Sequence, residues 1–138
     1  MMGSHCVKNW SSTQSTIALS SGEAEYYGVV KAASVSLGCR AMLRDMGIDV
    51  SIDVHTDAEA AKGIAARTGL GKTRHIAVHY LWVQERVRDG DIKLHKVRGT
   101  VNPADLLTKH LTAPVMHKLI DLFGFSFKEG RSTLTPAA

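Results

Sequence analysis

Residues 50–56, Val-Ser-Ile-Asp-Val-His-Thr, constrain this chain more than any other stretch. Val50, Ile52 and Val54 alternate with Ser51, Asp53 and His55, a period of two that predicts a strand with one buried face. Helical patterns flank it on both sides. Upstream, Tyr26, Val29, Val30, Ala33 and Leu37 recur at three- and four-residue spacing, which predicts an apolar stripe on a long helix reaching about Met46. Ser20-Ser-Gly-Glu23 has capping-box spacing at its start, with Ser20 as the cap and Glu23 reaching back; Gly47 is its stop. Downstream, residues 58–66 read as a short Ala-rich helix and 68–74 as a loop. Residues 75–88 read as a second helix with Ile76, Tyr80, Val83 and Val87 on one stripe, stopped by Gly90.

Two further strands are predicted, over 14–19 with 6–10 as an extension, and over 92–98. Asn102-Pro103 places a capping residue before a first-turn proline and starts a helix to about His110. Pro114 breaks that pattern, and 115–123 form a last amphipathic turn or two. Strands separated by helices imply a layered α/β domain rather than a bundle or a barrel.

At 138 residues the chain suits one domain. Leu, Ile, Val and Phe make up about a quarter of it, above the roughly 20% below which chains stay disordered. No apolar run approaches the ~20 residues that span a bilayer. The start, Met1-Met2-Gly3-Ser4-His5, lacks the charged flank and apolar stretch of a secretory signal. Cys6 and Cys39 are too few for a disulfide framework or a four-cysteine zinc site. They read as reduced thiols of an intracellular protein, cytoplasmic or nuclear and not secreted. A net charge of +4 fits a polyanionic partner as well as an ordinary basic surface.

Three acids sit at or beside predicted element ends: Glu25 in the first turns of the long helix, Asp57 after the alternating strand, and Asp105 at the start of a late helix. Carboxylates gathered in that way suit magnesium, a hard cation that prefers oxygen ligands. Nucleases hold two such ions between carboxylates, one activating water and one stabilising the leaving oxygen. Each acid also has a purely structural account: Asp57 as a helix cap, Asp105 and Glu25 as complements to a helix dipole. Glu23 and Glu25 lie roughly 200° apart around a helix, and periodicity does not say which of them points inward. His75 and His79 share a helix face at i, i+4, but no glutamate follows His75 and no third ligand is implied. Gly69-Leu-Gly-Lys-Thr73 follows no strand and lacks full phosphate-loop spacing.

Three segments together carry a resemblance. They are Trp10-Ser-Ser-Thr-Gln-Ser-Thr-Ile-Ala-Leu-Ser-Ser-Gly-Glu-Ala-Glu-Tyr26, Val54-His-Thr-Asp57 with its Ala-rich sequel, and Asn102-Pro-Ala-Asp105-Leu-Leu-Thr-Lys-His-Leu111. Their order and spacing resemble the ribonuclease H domain that ends copia-type retrotransposon Pol polyproteins. Thr73-Arg-His-Ile76 is similar to the family's Lys-His-Ile segment. The resemblance covers residues 5–123, taken as one ribonuclease H-like domain, with 124–138 as a polar tail.

The resemblance implies a mixed sheet with flanking helices and a site in which acids hold two magnesium (or manganese) ions to cleave the RNA strand of an RNA–DNA hybrid. It maps the catalytic, metal-holding acids to Glu25, Asp57 and Asp105, and leaves Glu23 in the capping box. It makes Lys72, Arg74 and His75 nucleic-acid contacts. The family's first two strands, the first of which bears another catalytic aspartate, have no counterpart here, and no Asp or Glu precedes Glu23. The expectation is therefore an N-terminally truncated ribonuclease H-type endonuclease, impaired by loss of that aspartate. The alternative is a non-catalytic nucleic-acid-binding remnant or an inert fragment. Residues 50–56 are expected to pair with 91–98, as the resemblance implies, with their other edge open or filled by residues 14–19 and with exposed apolar surface beside it favouring self-association; no membrane partner is expected.

Overall fold

The computed structural model describes residues 1–3, 5–71 and 75–125. It is a mixed α/β structure whose contacts fall into two compact units: Thr13–Asn102, and Met1–Ser12 gathered with the chain from Pro103 onward.

The first unit is built on helix α1, Ser21–Asp45. Ser20 is its cap, and the Ser20 hydroxyl accepts the Glu23 N–H at 3.2 Å. The Glu23 carboxylate reaches back one residue further than a capping box requires and accepts the Leu19 N–H at 2.9 Å. At the other end Gly47 takes φ +79°. There its N–H bonds the Arg44 carbonyl and the Ile48 N–H bonds the Leu43 carbonyl, each at 2.9 Å, the paired bonds of a Schellman stop. The stripe anticipated on this helix is the buried one: Tyr26, Val29, Val30 and Ala33 lie in the core, with Leu37 packed at its margin.

The alternating segment forms strand β1, Asp53–Thr56, and it pairs in parallel with β2, Lys93–Lys96. The Lys93 N–H to Ile52 carbonyl bond (2.9 Å) and the Val97 N–H to Thr56 carbonyl bond (3.0 Å) extend the ladder by one residue at each end. Ile52, Val54 and Thr56 are buried while Ser51, Asp53 and His55 are exposed, as a period of two demands. Among the described residues the sheet has these two strands. Helix α2, Glu59–Ala66, sets Ala61, Ile64 and Ala65 against α1 and the strands. Helix α3, Trp82–Arg88, adds Val83 to the same core and ends at Gly90, φ +79°. Arg40 fastens α1 to the turn before β2, reaching the Asp91 carbonyl and carboxylate at 3.2 Å each.

Several sequence expectations need correcting. Residues 14–19 and 6–10 are not strands. No described strand runs beside 14–19, so its backbone has no ladder to join, and side chains tether it instead. Gln14 donates to the Ala24 carbonyl at 2.6 Å, and the Thr16 hydroxyl meets the Tyr80 hydroxyl at 2.7 Å. Ile17 and Leu19 are left exposed. Residues 75–88 are not one helix. Ala77 is extended (φ −62°, ψ 133°), a 3-10 turn covers Val78–Tyr80, and α3 begins only at Trp82. The Tyr80 carbonyl accepts the Tyr26 hydroxyl at 2.8 Å, a tertiary bond made where a continuous helix would have used that carbonyl. The expected shared face of His75 and His79 is lost with that helix.

In the second unit the helix expected after Asn102 is a short 3-10 segment, Pro103–Leu107. Pro114 does not break structure. It lies in the first turn of helix α4, Ala113–Leu122, where a missing N–H costs nothing. Leu119 is the buried residue of α4. No helix among the described residues is long and apolar enough to cross a membrane. Residues 126–138, most of the expected tail, lie outside the described residues.

Candidate carboxylate cleft

The C-terminal end of β1 delivers Asp57 to the start of α2, and Gly22 lets α1 come up beside it. A Cβ on Gly22 would lie 2.7 Å from the Ala60 Cβ, closer than two carbons pack, so only glycine permits this approach of the two helix N-termini. The result is a shallow open cleft of about 330 Å³ lined by Ser21, Gly22, Glu25, Asp57, Ala58, Glu59 and Ala60. Gly99 borders Asp57 from the segment after β2, with the Asp57 Oδ2 3.4 Å from where a Cβ would stand.

The structural accounts of these two acids weaken here. The residue before α2 is Ala58, which has no capping side chain, and the Thr56 hydroxyl accepts the Ala58 N–H at 3.2 Å. Asp57 therefore does not occupy the cap position. Glu25 lies beyond the first turn of α1, where Glu23 is the acid, and the helix dipole is felt within that first turn.

Glu23 and Glu25 have separate surroundings. Glu25 is exposed and lines the cleft. Glu23 is 1% exposed and belongs to an internal network. Its carboxylate accepts from the Leu19 N–H, from the Tyr27 hydroxyl and from His75, whose Nε2 stands 2.6 Å away. Burial pushes the Glu23 carboxyl up, yet the bonds from Tyr27, Leu19 and His75 outweigh it and hold the group below the ordinary glutamate value. Burial and the Glu23 charge raise the Tyr27 phenol to about 12.

Asp105 is buried in the second unit and pairs with Lys109 Nζ at 2.9 Å. His75 is half-exposed and engaged with Glu23. Lys72 and Arg74 lie outside the described residues. Among the described residues no three His, Cys, Asp or Glu side chains are grouped so as to hold a metal ion.

Sequence reasoning missed Glu59, which lines the same cleft but meets Lys96 Nζ at 2.6 Å. That bond lowers the Glu59 pKa. Its place three residues after Thr56 at a helix start was a signal of the same kind as Asp57's. Gln84 was missed as well. It is buried, donates to the Ile64 and Gly69 carbonyls at 2.8 and 3.0 Å, and accepts the Gly69 N–H at 2.9 Å. A polar residue beside the Val83 stripe was its one trace in the sequence.

The protein is a mixed α/β structure in which Glu25 of α1 and Asp57, the residue after β1, line one opening. Comparison with known proteins finds one similarity to report. The chain is 32% identical, over 104 residues and 73% of its length, to the retrovirus-related Pol polyprotein from transposon TNT 1-94 of Nicotiana tabacum. It spans about 8% of that polyprotein's length. The similarity supports an origin in a retrotransposon Pol polyprotein. No family model matches the chain, and no solved structure matches it.

Proposed function

We propose that this chain is a ribonuclease H-like segment of a copia-type retrotransposon Pol polyprotein. In this reading Glu25 and Asp57 are acids of its nuclease site, Asp105 is a further one, and an RNA–DNA hybrid is its substrate. The observation that supports the reading is the shared cleft. The second acid of Glu-Ala-Glu-Tyr and the acid that follows the alternating strand line one opening, while Glu23 is spent on internal bonds.

Magnesium, or manganese in its place, is the ion that such phosphodiester chemistry uses, and a pair of ions needs several carboxylate oxygens between them. The described residues do not fit that requirement. Glu25 and Asp57 line the cleft, Glu59 beside them meets Lys96, and among the described residues no group of three ligands is formed. The segment therefore carries part of a nuclease site. It holds hybrid weakly through basic side chains, Lys72 and Arg74 among them with His75 next in sequence, and does not hydrolyse it unaided.

The test is incubation of the chain with a hybrid labelled in its RNA strand, in magnesium and in manganese. The expected result is no cleavage above a chelated control, with salt-sensitive binding that Lys72→Ala and Arg74→Ala reduce. Metal-dependent turnover abolished by Asp57→Asn would show a complete site and overturn the claim that the chain does not hydrolyse hybrid unaided, whereas turnover indifferent to Asp57→Asn would overturn the assignment of that acid. Absence of any hybrid binding would remove hybrid as the substrate class.

A further inference from the structure

Strand β1 is bonded on one side. The bonds to the carbonyls of Ile52 and Thr56 fix the even-numbered residues as those whose backbone groups face β2. Along a strand the N–H and C=O of one residue point the same way, and neighbours point oppositely. Asp53 and His55 therefore direct two N–H donors and two carbonyl acceptors at the other edge, and no described residue bonds them there. Their side chains lie on the exposed face of the sheet, where His95 of β2 joins them. Its Nε2 is 2.7 Å from Asp53 Oδ1, and its ring stacks on His55 with centroids 5.0 Å apart.

We propose that this edge pairs with β1 of a second copy of the chain, antiparallel, about a two-fold axis through Val54. Centred there, Asp53 of each copy lies opposite His55 of the other. Their outward N–H and C=O groups are then mutually satisfied, giving four hydrogen bonds across the edge. Val54 meets Val54 and Ile52 meets Thr56 on the buried face, so apolar surface continues across the junction.

Charge selects this register. Slipping the pairing by two residues one way sets Asp53 against Asp53, and like charges directly opposite are destabilising; slipping it the other way sets His55 against His55 and loses both acid–imidazole pairings. The isologous arrangement puts an acid against an imidazole twice. The contact is small, so association is read across a concentration series. It stands on the strand edge, independently of the nuclease reading.

Sedimentation velocity or light scattering over rising concentration should carry the average mass from the 14.9 kDa monomer toward twice that value. His55→Pro deletes an outward donor and fills the edge while leaving the β2 ladder intact; it should stay monomeric throughout. If that variant does not fold, the charge exchange decides. Asp53→His alone and His55→Asp alone should each weaken association about tenfold. The double exchange should restore it, because the opposed pairs are re-formed in reverse. A wild-type chain that is monomeric throughout, a His55→Pro chain that dimerises normally, or a double exchange no better than the singles would overturn the proposal.

Discussion

Gly22 stands directly against Ala60, and the 2.7 Å left for a Cβ is what sets the spacing of α1 and α2. Helix propensity favours alanine over glycine by about 1 kcal/mol, so packing and propensity oppose each other at this position. Packing should win. Gly22→Ala is expected to lower stability by about 1–3 kcal/mol, the usual cost of overpacking. Gly28 sits in the same helix with nothing within 4 Å of its added Cβ. Gly28→Ala should therefore raise stability by roughly 0.5–1 kcal/mol. Paired urea titrations check the contrast, and a stabilising Gly22→Ala would contradict the close approach.

Glu23 predicts an acid-sensitive fold. Its carboxyl is held below the ordinary 4.5 in the folded chain, so between the lowered value and 4.5 the unfolded chain binds more protons. The stabilisation is present above the unfolded value and is lost as pH falls through the folded one. Glu23→Gln should flatten that acid limb, and it should be less stable than wild type at neutral pH because His75 and Leu19 lose a charged acceptor. Unfolding midpoints measured from about pH 6 down to about pH 3 test both statements. An acid limb unchanged in the variant would remove Glu23 as its source.

Tyr27 predicts the alkaline counterpart. Its phenol is raised to about 12 from an ordinary 10. The corresponding stabilisation is complete below 10 and disappears as pH rises through the folded value. Tyr27→Phe should remove that part of the alkaline loss, leaving the part due to Tyr26, which burial also raises to about 12.

Gln84→Leu should cost about 1–3 kcal/mol, because it leaves the Ile64 and Gly69 carbonyls and the Gly69 N–H without their partner in the interior. Hydrogen exchange should show faster amides in residues 64–70. An exchange pattern unchanged there would mean that the loop is held by something else.

The elements legible in the sequence were those whose signals are local. The Ser20 cap, the Gly47 stop, the alternation through Val54 and the buried stripe of α1 each follow from a few neighbouring residues, and all are present. Residues 14–19 have strand-like composition, but a strand exists only with a partner, and partners are not written locally. The stripe of 75–88 fitted a helical period, yet the Tyr26 hydroxyl bond to Tyr80 and the extended Ala77 divide it. At the cleft, spacing separated Glu23 from Glu25 around the helix without saying which faced inward. Gly22 against Ala60, a contact between helices remote in sequence, gives Glu25 its place beside Asp57. The bond of Glu59 to Lys96 is equally non-local, which is why that acid went unnoticed.

The most direct test of the account is where a divalent ion goes. A carboxylate pair attracts such an ion weakly, so manganese added in steps to the isotope-labelled chain serves as a paramagnetic probe. Amide signals of residues 21–25 and 57–60 should broaden first, and Asp57→Asn should abolish that broadening while Glu23→Gln leaves it in place. Broadening centred on Glu23 and His75, or a pattern indifferent to Asp57→Asn, would contradict the assignment of Glu25 and Asp57 to one site.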